Sequence, residues 1–270
     1  MALFDQNVTR RQALGLAGTS FAFIGLAGCG SSEDSSSTNS DSSSSNTSDS
    51  SSTDLDTSAY DSLIAAGSTA EDSAISASTW ASKVKDAGKL RVGGVQTSTL
   101  FALMNEVDNK VRGFDAGLYQ LLTRYILGDE ADYELTQVTS DTRESVLEND
   151  QVDTVFATYS ITADRKKVIS FAGPYYSSQQ GILVLADNTD INSVDDLAGK
   201  TVAAQSGSTG PSLLAQYAPD ATEQEFSTDE EARQALEQKR VDAYVIDATM
   251  QMSSVVKNPG AYRLVEETFG

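Results

Sequence analysis

Hydrophobic positions in residues 89–270 follow two alternating patterns: short apolar runs, and segments in which apolar side chains recur every three or four residues. Residues 114–127 show the second pattern, with apolar side chains at 114, 118, 121, 122, 125 and 126, which predicts a helix. Thr228 and Glu231 form a capping-box pattern that predicts the start of another helix. The patterns predict strands at 90–95, 133–138, 153–157, 200–204, 221–226, 243–246 and 262–265, with further apolar runs at 169–171 and 181–186. They predict helices at 114–127, 193–197, 211–217, 228–240 and 248–256, and one that begins near Asp141 and leads to 147.

The order of these elements predicts the fold class. Strands alternate with helices and no hairpin signal joins neighbouring strands, which predicts an α/β protein with largely parallel sheets. About 190 residues, 79–270, are available for folding, enough for one large domain or two small ones. Sheets of this kind bind ligands beyond the carboxyl ends of their strands, so we expect the functional residues directly after strands.

The N-terminus has the pattern of an export signal. An arginine pair at 10–11 precedes an apolar run of 16 residues, 13–28, which is short for a membrane span and typical of a signal-peptide core. The run ends in Leu-Ala-Gly-Cys, which resembles the lipobox of bacterial lipoproteins and implies cleavage after residue 28 and lipidation of Cys29. A transmembrane anchor followed by an unmodified cysteine is the alternative. The arginine pair also resembles a twin-arginine signal, although Ala13 stands where that signal has a bulky residue, so the export route stays open.

A polar, acidic segment follows the signal. Residues 31–58 contain 15 serines, and such a segment buries too little apolar surface to offset the conformational entropy of ordering it. Residues 29–78 are therefore predicted to be a disordered tether behind the lipidated cysteine, with a short helix near 60–66. This organisation predicts a lipid-anchored domain on the extracytoplasmic face of the bacterial membrane.

Composition excludes several functions. The chain has 19 basic and 39 acidic residues, and a net charge of −20 argues against nucleic acid as a partner because that needs clustered Lys and Arg. The absence of histidine excludes a Ser-His-Asp triad and the common zinc sites. A single cysteine excludes an internal disulfide. We therefore expect no cofactor and no metal.

Polar segments directly follow four of the predicted strands. Two of them combine hydroxyl groups with an arginine at a helix start, which suits a carboxylate because guanidinium and backbone N–H groups bind it together. The third is a loop of small residues that can present backbone amides to an anion but lacks the lysine of a P-loop. The fourth is a carboxylate placed where an amine can meet it. In chain order the candidates are Ser140 and Arg143; Thr158, Tyr159, Ser160 and Arg165; Gln205, Ser208 and Thr209; and Asp247.

Together these segments supply two anion sites and one cation site, and an acidic amino acid carries two carboxylates and one ammonium. Each candidate also has a simpler explanation that the sequence leaves open. Arg165 can pair with the adjacent Asp164, Ser and Thr at helix starts are often caps, and Asp247 can cap the helix that follows it.

Five motifs resemble the polar amino-acid-binding proteins of ABC importers, the family 3 solute-binding proteins, and the resemblance covers about residues 89–270. The form Ala-Thr-Tyr-Ser-Ile-Thr and the context of Arg143 are most similar to the glutamate-binding members. The resemblance implies two α/β lobes, 79–186 and 187–270, that are joined by hinge strands and close over a ligand. The motifs lie at 113–115, 157–165, 169–176, 197–209 and 241–247.

The resemblance also implies a role for each candidate. Arg165 would bind the α-carboxylate, assisted by Ser160 and the amides around it. The remaining roles are a side-chain carboxylate site at Thr158, Ser140 and Arg143, closure from lobe 2 by Gln205, Ser208 and Thr209, and an ammonium site at Asp247.

Three features depart from the family pattern. The segment 96–101 lacks the Asp or Arg and the stacking aromatics of many relatives, which leaves Phe101 as the expected aromatic wall. The motif at 113–115 continues with Ala116-Gly117 instead of an apolar residue and an acid. The chain stops at Gly270, before the second hinge strand and the segment that returns to lobe 1, so we expect a truncated lobe 2.

The sequence thus predicts a lipoprotein that captures glutamate or aspartate and delivers it to an ABC permease. Two arginines in a closing cleft favour a ligand with two carboxylates, because an unpaired buried charge costs on the order of 3–5 kcal/mol. A binding protein for another polar amino acid such as glutamine is the alternative. A second alternative is an enzyme similar to the dehydratases that share this fold. The chain has no histidine and so offers few candidate catalytic groups.

Overall fold

The computed structural model describes residues 55–270, so the predicted signal peptide, Cys29 and the first part of the predicted tether lie outside the described residues. No helix within the described range is long and apolar enough to cross a bilayer. The described helices are α1 Thr57–Ala65, α2 Asp72–Ser76, α3 Thr79–Ala87, α4 Phe114–Leu127, α5 Arg143–Glu148, α6 Gly210–Tyr217, α7 Asp229–Glu237 and α8 Ala248–Lys257. The strands are β1 Leu90–Gly94, β2 Thr97–Ser98, β3 Ala102–Met104, β4 Val111–Arg112, β5 Tyr133–Gln137, β6 Thr154–Phe156, β7 Gln180–Leu185, β8 Thr201–Gln205, β9 Thr222–Phe226, β10 Ala243–Asp247 and β11 Tyr262–Leu264. Short 3-10 turns occupy Arg165–Lys167 and Asp195–Leu197.

Lobe 1 is built on a parallel sheet with the strand order β5-β1-β6. Val92 in the central strand pairs with Leu135 on one side and with Thr154 on the other. Val92 and Tyr119 of α4 belong to one buried cluster, which holds α4 against the sheet. The carboxyl ends of β5 and β6 therefore point to the same edge of lobe 1.

Lobe 2 is built on a five-stranded sheet with the order β11-β7-β10-β8-β9. Val245 in the central strand β10 pairs in parallel with Ala204 in β8 and antiparallel with Ile182 in β7. One buried cluster contains Ile182 and Val245, and a second contains Tyr244 and Leu236, so both faces of the sheet are covered.

The predicted α/β fold is confirmed, and α4 has the bounds that the hydrophobic pattern predicts. The prediction of largely parallel sheets needs a correction. Strand β7 runs antiparallel to β10 and β11, which lie some sixty and eighty residues further along the chain. A hairpin signal does not mark a pairing between strands so far apart. Strands β2, β3 and β4 form a small antiparallel sheet that the sequence analysis missed. Asn109 lies in the turn between β3 and β4 with a φ of 56°. Asn tolerates this left-handed conformation, so its presence in the sequence is the signal that could have predicted the turn.

The folded part begins earlier than residue 79. Helices α1 and α2 lie in the range assigned to the tether, and α1 extends from Thr57 rather than from 60. They are ordered because Ile64 and Ile75 are buried and because Asp61 bonds Arg112 of lobe 1.

The boundary between the lobes also lies before the predicted residue 186. In the described part of the chain, the partner strands of β7 are β10 and β11, both of lobe 2. Residues 170–179, which precede it, connect the lobes without helix or strand. The reason is that β7 is an internal strand of the lobe 2 sheet, a position that its apolar run alone does not reveal.

Candidate ligand site

A cavity of about 210 Å³ lies between the lobes. Lobe 1 contributes hydroxyl side chains that follow β1, β5 and β6, together with the buried Asp115. Lobe 2 contributes charged residues at the start of α7. The polar lining residues are Thr97, Ser98, Asp115, Gln137, Thr139, Ser140, Thr158, Gln205, Thr228, Asp229, Glu230 and Arg233.

Arg143 begins α5, directly beyond β5, and its side chain is 3% exposed. One terminal nitrogen donates to the carbonyl of Ala157 at 2.9 Å, and the other donates to the carbonyl of Gly207 in lobe 2 at 3.2 Å. Its Nε has no hydrogen-bond partner among residues 55–270. Burial, and then the neighbouring Arg165, lowers the pKa of Arg143 to about 10, so the group remains positively charged at neutral pH.

Arg165 approaches the same carbonyl from the segment after β6. Its terminal nitrogens donate to Ser160 O at 2.9 Å and to Gly207 O at 2.8 Å. Burial lowers the pKa of Arg165, while Tyr159 and Glu144 raise it. Two guanidinium groups of lobe 1 therefore meet at one carbonyl oxygen of lobe 2.

Tyr159 packs against both arginines. The Cζ atom of Arg143 lies 4.0 Å from the ring centroid, and that of Arg165 lies 4.4 Å from it. The Tyr159 hydroxyl donates to Glu144 at 2.6 Å, which fixes the ring. The aromatic face attracts both cations and so opposes the repulsion between them.

Neither arginine forms an ion pair with a carboxylate within 4.0 Å in the described part of the chain. Asp164, the simplest partner for Arg165, pairs with Lys167 at 2.6 Å instead. Glu144 accepts the bond from Tyr159. Arg143 is buried and Arg165 is half-buried, and no carboxylate of the described residues neutralises their positive charge.

The loop after β8 reaches from lobe 2 to lobe 1. Gly207 has a φ of +68°, and an added Cβ would lie 2.7 Å from the backbone of Ser140. Ser206 donates to Asp141 of lobe 1. The structure therefore shows the two lobes in contact, and this contact depends on the lack of a side chain at position 207.

Residues 90–257 match the model of the bacterial extracellular solute-binding proteins, family 3. The chain belongs to this family. Members of the family and the relatives below are binding proteins, so this chain is a solute-binding protein and not an enzyme. The family resemblance seen in the motifs is confirmed, as is the two-lobed α/β fold.

Similar proteins within the family bind different solutes. The chain is 39% identical over 188 residues to the glutamine-binding protein of Geobacillus stearothermophilus, covering 69% of this chain and 71% of that protein. It is 32% identical to the glutamate-binding protein GluB of Corynebacterium glutamicum, covering 66% and 62% of the two chains. Its fold matches an ancestral arginine-binding protein bound to glutamine with a TM-score of 0.61, 34% identity, and coverage of 68% of this chain and 80% of that chain.

The structure divides the candidate residues of this family member into three groups. Phe101, Ser140, Thr158 and Gln205 line the cavity. A second group, Arg143, Tyr159, Ser160 and Arg165, forms the arginine cluster beside it. The third group, Ser208, Thr209 and Asp247, lies at helix starts. Ser208 Oγ accepts from Gly210 N at 3.0 Å, and Thr209 Oγ1 accepts from Gln180 at 3.3 Å.

Asp247 caps α8. Its Oδ1 accepts from Thr249 N at 2.9 Å and from Met250 N at 3.4 Å, and it does not line the cavity. No hydrogen bond within residues 55–270 uses its Oδ2, which leaves one oxygen of this carboxylate for another partner.

The cavity is also lined by four charged residues that are not among the candidates predicted from the sequence: Asp115, Asp229, Glu230 and Arg233. Asp229 accepts from Arg233 at 3.0 Å and from the Tyr244 hydroxyl at 3.1 Å. The signal that could have found Asp229 and Glu230 is their position soon after the end of β9, the rule that found the other candidates. Within the described residues, no group of three acidic or cysteine side chains is arranged to hold a metal ion.

Proposed function

We propose that this protein captures an acidic amino acid outside the cell and delivers it to an ABC permease. The observation that carries the proposal is the arginine cluster, in which Arg143 and Arg165 converge without a carboxylate partner in the described residues. The glutamate-binding relative supports the same ligand class. An amino acid with two carboxylates would neutralise both guanidinium groups.

Arg165 is the proposed partner of the α-carboxylate, and Arg143, with Ser140 and Thr158, that of the side-chain carboxylate. Both guanidinium groups donate to the carbonyl oxygen of Gly207. A ligand carboxylate could replace this oxygen as the acceptor of those hydrogen bonds. The free Oδ2 of Asp247 is the proposed partner of the ammonium group.

Glutamine is a second candidate ligand. The glutamine-binding relative is 39% identical to this chain. Arg143 already donates to two backbone carbonyls. Fewer of its N–H groups therefore need an acceptor from the ligand, and the single oxygen of a neutral amide can satisfy more of that need than it could beside an arginine without these bonds. The two ligands differ in one charge, which makes Arg143 the residue that separates them.

Calorimetric titration of the wild type with glutamate, aspartate and glutamine tests the ligand assignment. Arg165→Ala should weaken the binding of all three ligands by about 2–5 kcal/mol, because the α-carboxylate is common to them.

Arg143→Ala should weaken the binding of glutamate by about 1–3 kcal/mol more than that of glutamine, since an amide does not form the full ion pair. Lys166→Ala is the matched control, because it removes the same charge from an exposed neighbouring position. Equal losses for glutamate and glutamine in Arg143→Ala would assign Arg143 a structural role and remove the reason for an acidic ligand.

We also propose that the mature protein is anchored by a lipid on Cys29, from the lipobox pattern at 26–29. Cys29→Ser should release the protein into the medium or leave its precursor unprocessed. Fractionation and mass spectrometry of the N-terminus measure this, and a normally processed, membrane-bound Cys29→Ser protein would contradict the anchor.

A further inference from the structure

Asp115 is a buried carboxylate without a cationic partner. It lies in the first turn of α4, is 1% exposed, and forms no ion pair within 4.0 Å with any described Lys or Arg. Burial raises its pKa, and its two hydrogen-bond donors oppose this change. A carboxylate in such a position must be hydrogen-bonded to be tolerated, so its partners are informative.

The first partner is the backbone N–H of Thr158, which donates to Asp115 Oδ2 at 2.8 Å. Thr158 has a φ of +46°, a left-handed conformation that a β-branched residue rarely adopts. The bond to Asp115 stabilises this conformation and thereby directs the Thr158 side chain into the cleft, where its hydroxyl contacts Met250 Sδ of lobe 2 at 3.8 Å. The preceding carbonyl, that of Ala157, accepts the bond from Arg143.

The second partner is the hydroxyl of Tyr175, which donates to Asp115 Oδ1 at 3.1 Å. Tyr175 lies in residues 170–179, the segment that connects the lobes without regular structure. Its ring packs on Phe114 and Phe156 of lobe 1, with centroids 6.1 Å and 6.0 Å apart. One carboxylate thus joins α4, the segment after β6 and the connection between the lobes.

We propose that Asp115 is a positioning residue that couples the conformation of the ligand segment at Thr158 to the connection between the lobes at Tyr175. The proposal rests on the proposed function only for the identity of the ligand. Asp115 acts through Thr158, whose neutral hydroxyl can donate to the side-chain carboxylate of glutamate and to the amide oxygen of glutamine, so it does not select between them. It therefore differs from Arg143, whose proposed role is selectivity.

Asp115→Asn and Tyr175→Phe, singly and combined, test the coupling by calorimetry with an amino acid that binds the wild type. Asp115→Asn should weaken every ligand about 10- to 100-fold, with the glutamate-to-glutamine ratio unchanged, because the charged acceptor is lost. Tyr175→Phe should weaken binding less, because the bond to Thr158 remains. The double variant should resemble Asp115→Asn rather than show the product of the two losses, since both changes break the same contact.

A second measurement separates positioning from a role in stability alone. Single-molecule fluorescence transfer between dyes at Asp86→Cys in lobe 1 and Gln216→Cys in lobe 2, in Cys29→Ser protein, reports the distance between lobes. Without ligand, Asp115→Asn and Tyr175→Phe should broaden the interlobe distance distribution. A residue that serves only stability would lower the melting temperature and leave that distribution unchanged.

The proposal is overturned if both variants keep the wild-type distribution, or if the two affinity losses multiply. If Asp115→Asn does not fold, Tyr175→Phe decides alone, because its ring packing is preserved and only the hydroxyl bond is removed. If no amino acid binds the wild type, the proposed function fails, and the interlobe distances still decide the role of Asp115.

Discussion

Tyr159 is the residue that allows two arginines to lie side by side. Like-charged groups at this spacing repel each other, and Arg165 accordingly contributes to the lowered pKa of Arg143. The ring lies 4.0 Å and 4.4 Å from the two Cζ atoms and attracts both. A cation–π contact contributes about 0.5–2 kcal/mol, so the ring stabilises the cluster without neutralising its charge. The net charge stays available for a ligand.

Tyr159→Leu should therefore weaken binding of an acidic ligand by about 1–2 kcal/mol, because the aromatic face is lost while an apolar side chain remains. Tyr159→Phe is the matched control, since it keeps the face and loses only the bond to Glu144. Calorimetry with glutamate, together with a melting curve for each variant, measures both. Equal losses in the two variants would show that the hydroxyl bond, and not the ring face, organises the arginines.

Helix α1 shows how a short element from a polar segment is held on the domain. Asp61 accepts from Arg112 at 2.7 Å and 2.8 Å, and the Arg112 side chain is 5% exposed. Tyr60 donates to Gly113 O at 3.0 Å and to Gln120 at 3.1 Å. These bonds attach α1 to β4 and to the start of α4, next to the motif that contains Asp115.

The attachment of α1 should depend on pH. The hydrogen bond from Arg112 lowers the pKa of Asp61 from 3.8 to about 2. Because the pKa is lower in the docked form, the stabilisation is complete above about pH 4 and is lost as the pH falls through about 2. Amide signals of residues 57–65, followed by nuclear magnetic resonance from pH 6 to pH 2, should show α1 loosening before the rest of lobe 1.

Asp61→Asn should loosen α1 already at neutral pH, by about 1 kcal/mol once solvent screening of the partly exposed carboxylate is included. Asp72→Asn is the control and should leave the exchange of 57–65 unchanged, because this exposed carboxylate in α2 has no ion-pair partner among residues 55–270. Hydrogen exchange of 57–65 measures the difference. Equal exchange in the wild type and Asp61→Asn would mean that apolar packing alone holds α1.

At the scale of the whole molecule, contact between the lobes depends on Gly207. Its carbonyl meets both arginines, and an added Cβ would lie 2.6 Å from Asp141 Oδ1 and 2.7 Å from the Ser140 backbone. Gly207→Ala should therefore disfavour the closed form and weaken all ligands about tenfold or more, since 1.4 kcal/mol corresponds to a factor of ten.

Gly199→Ala separates this steric effect from backbone strain. Gly199 has a similar φ of +73° in lobe 2, but nothing lies within 4 Å of an added Cβ. Both variants carry the cost of a left-handed alanine, and only Gly207→Ala adds the clash with lobe 1. X-ray scattering with and without ligand, and calorimetry, compare the two. The same affinity loss in both would assign the effect to lobe 2 stability rather than to closure.

Local patterns in the sequence determined most of the elements and part of the cavity. The apolar spacing in 114–127 predicts α4 with its observed bounds, and the capping box of Thr228 and Glu231 is present in the structure. The rule that ligands bind beyond strand ends located Ser140, Thr158 and Gln205, all of which line the cavity. These features follow from the sequence because each depends on residues within a few positions of one another.

Tertiary structure alone decided the features that join distant segments. The sequence left Arg165 free to pair with the adjacent Asp164, and in the fold Lys167 takes that carboxylate while Arg165 turns to Gly207, 42 residues away. Strand β7 belongs to lobe 2 through partner strands some sixty and eighty residues further along the chain. Asp115 acquired its role only when Thr158 and Tyr175 met it. Such contacts carry no periodic signal, because their free energy comes from burial and from hydrogen bonds formed when separate elements pack together.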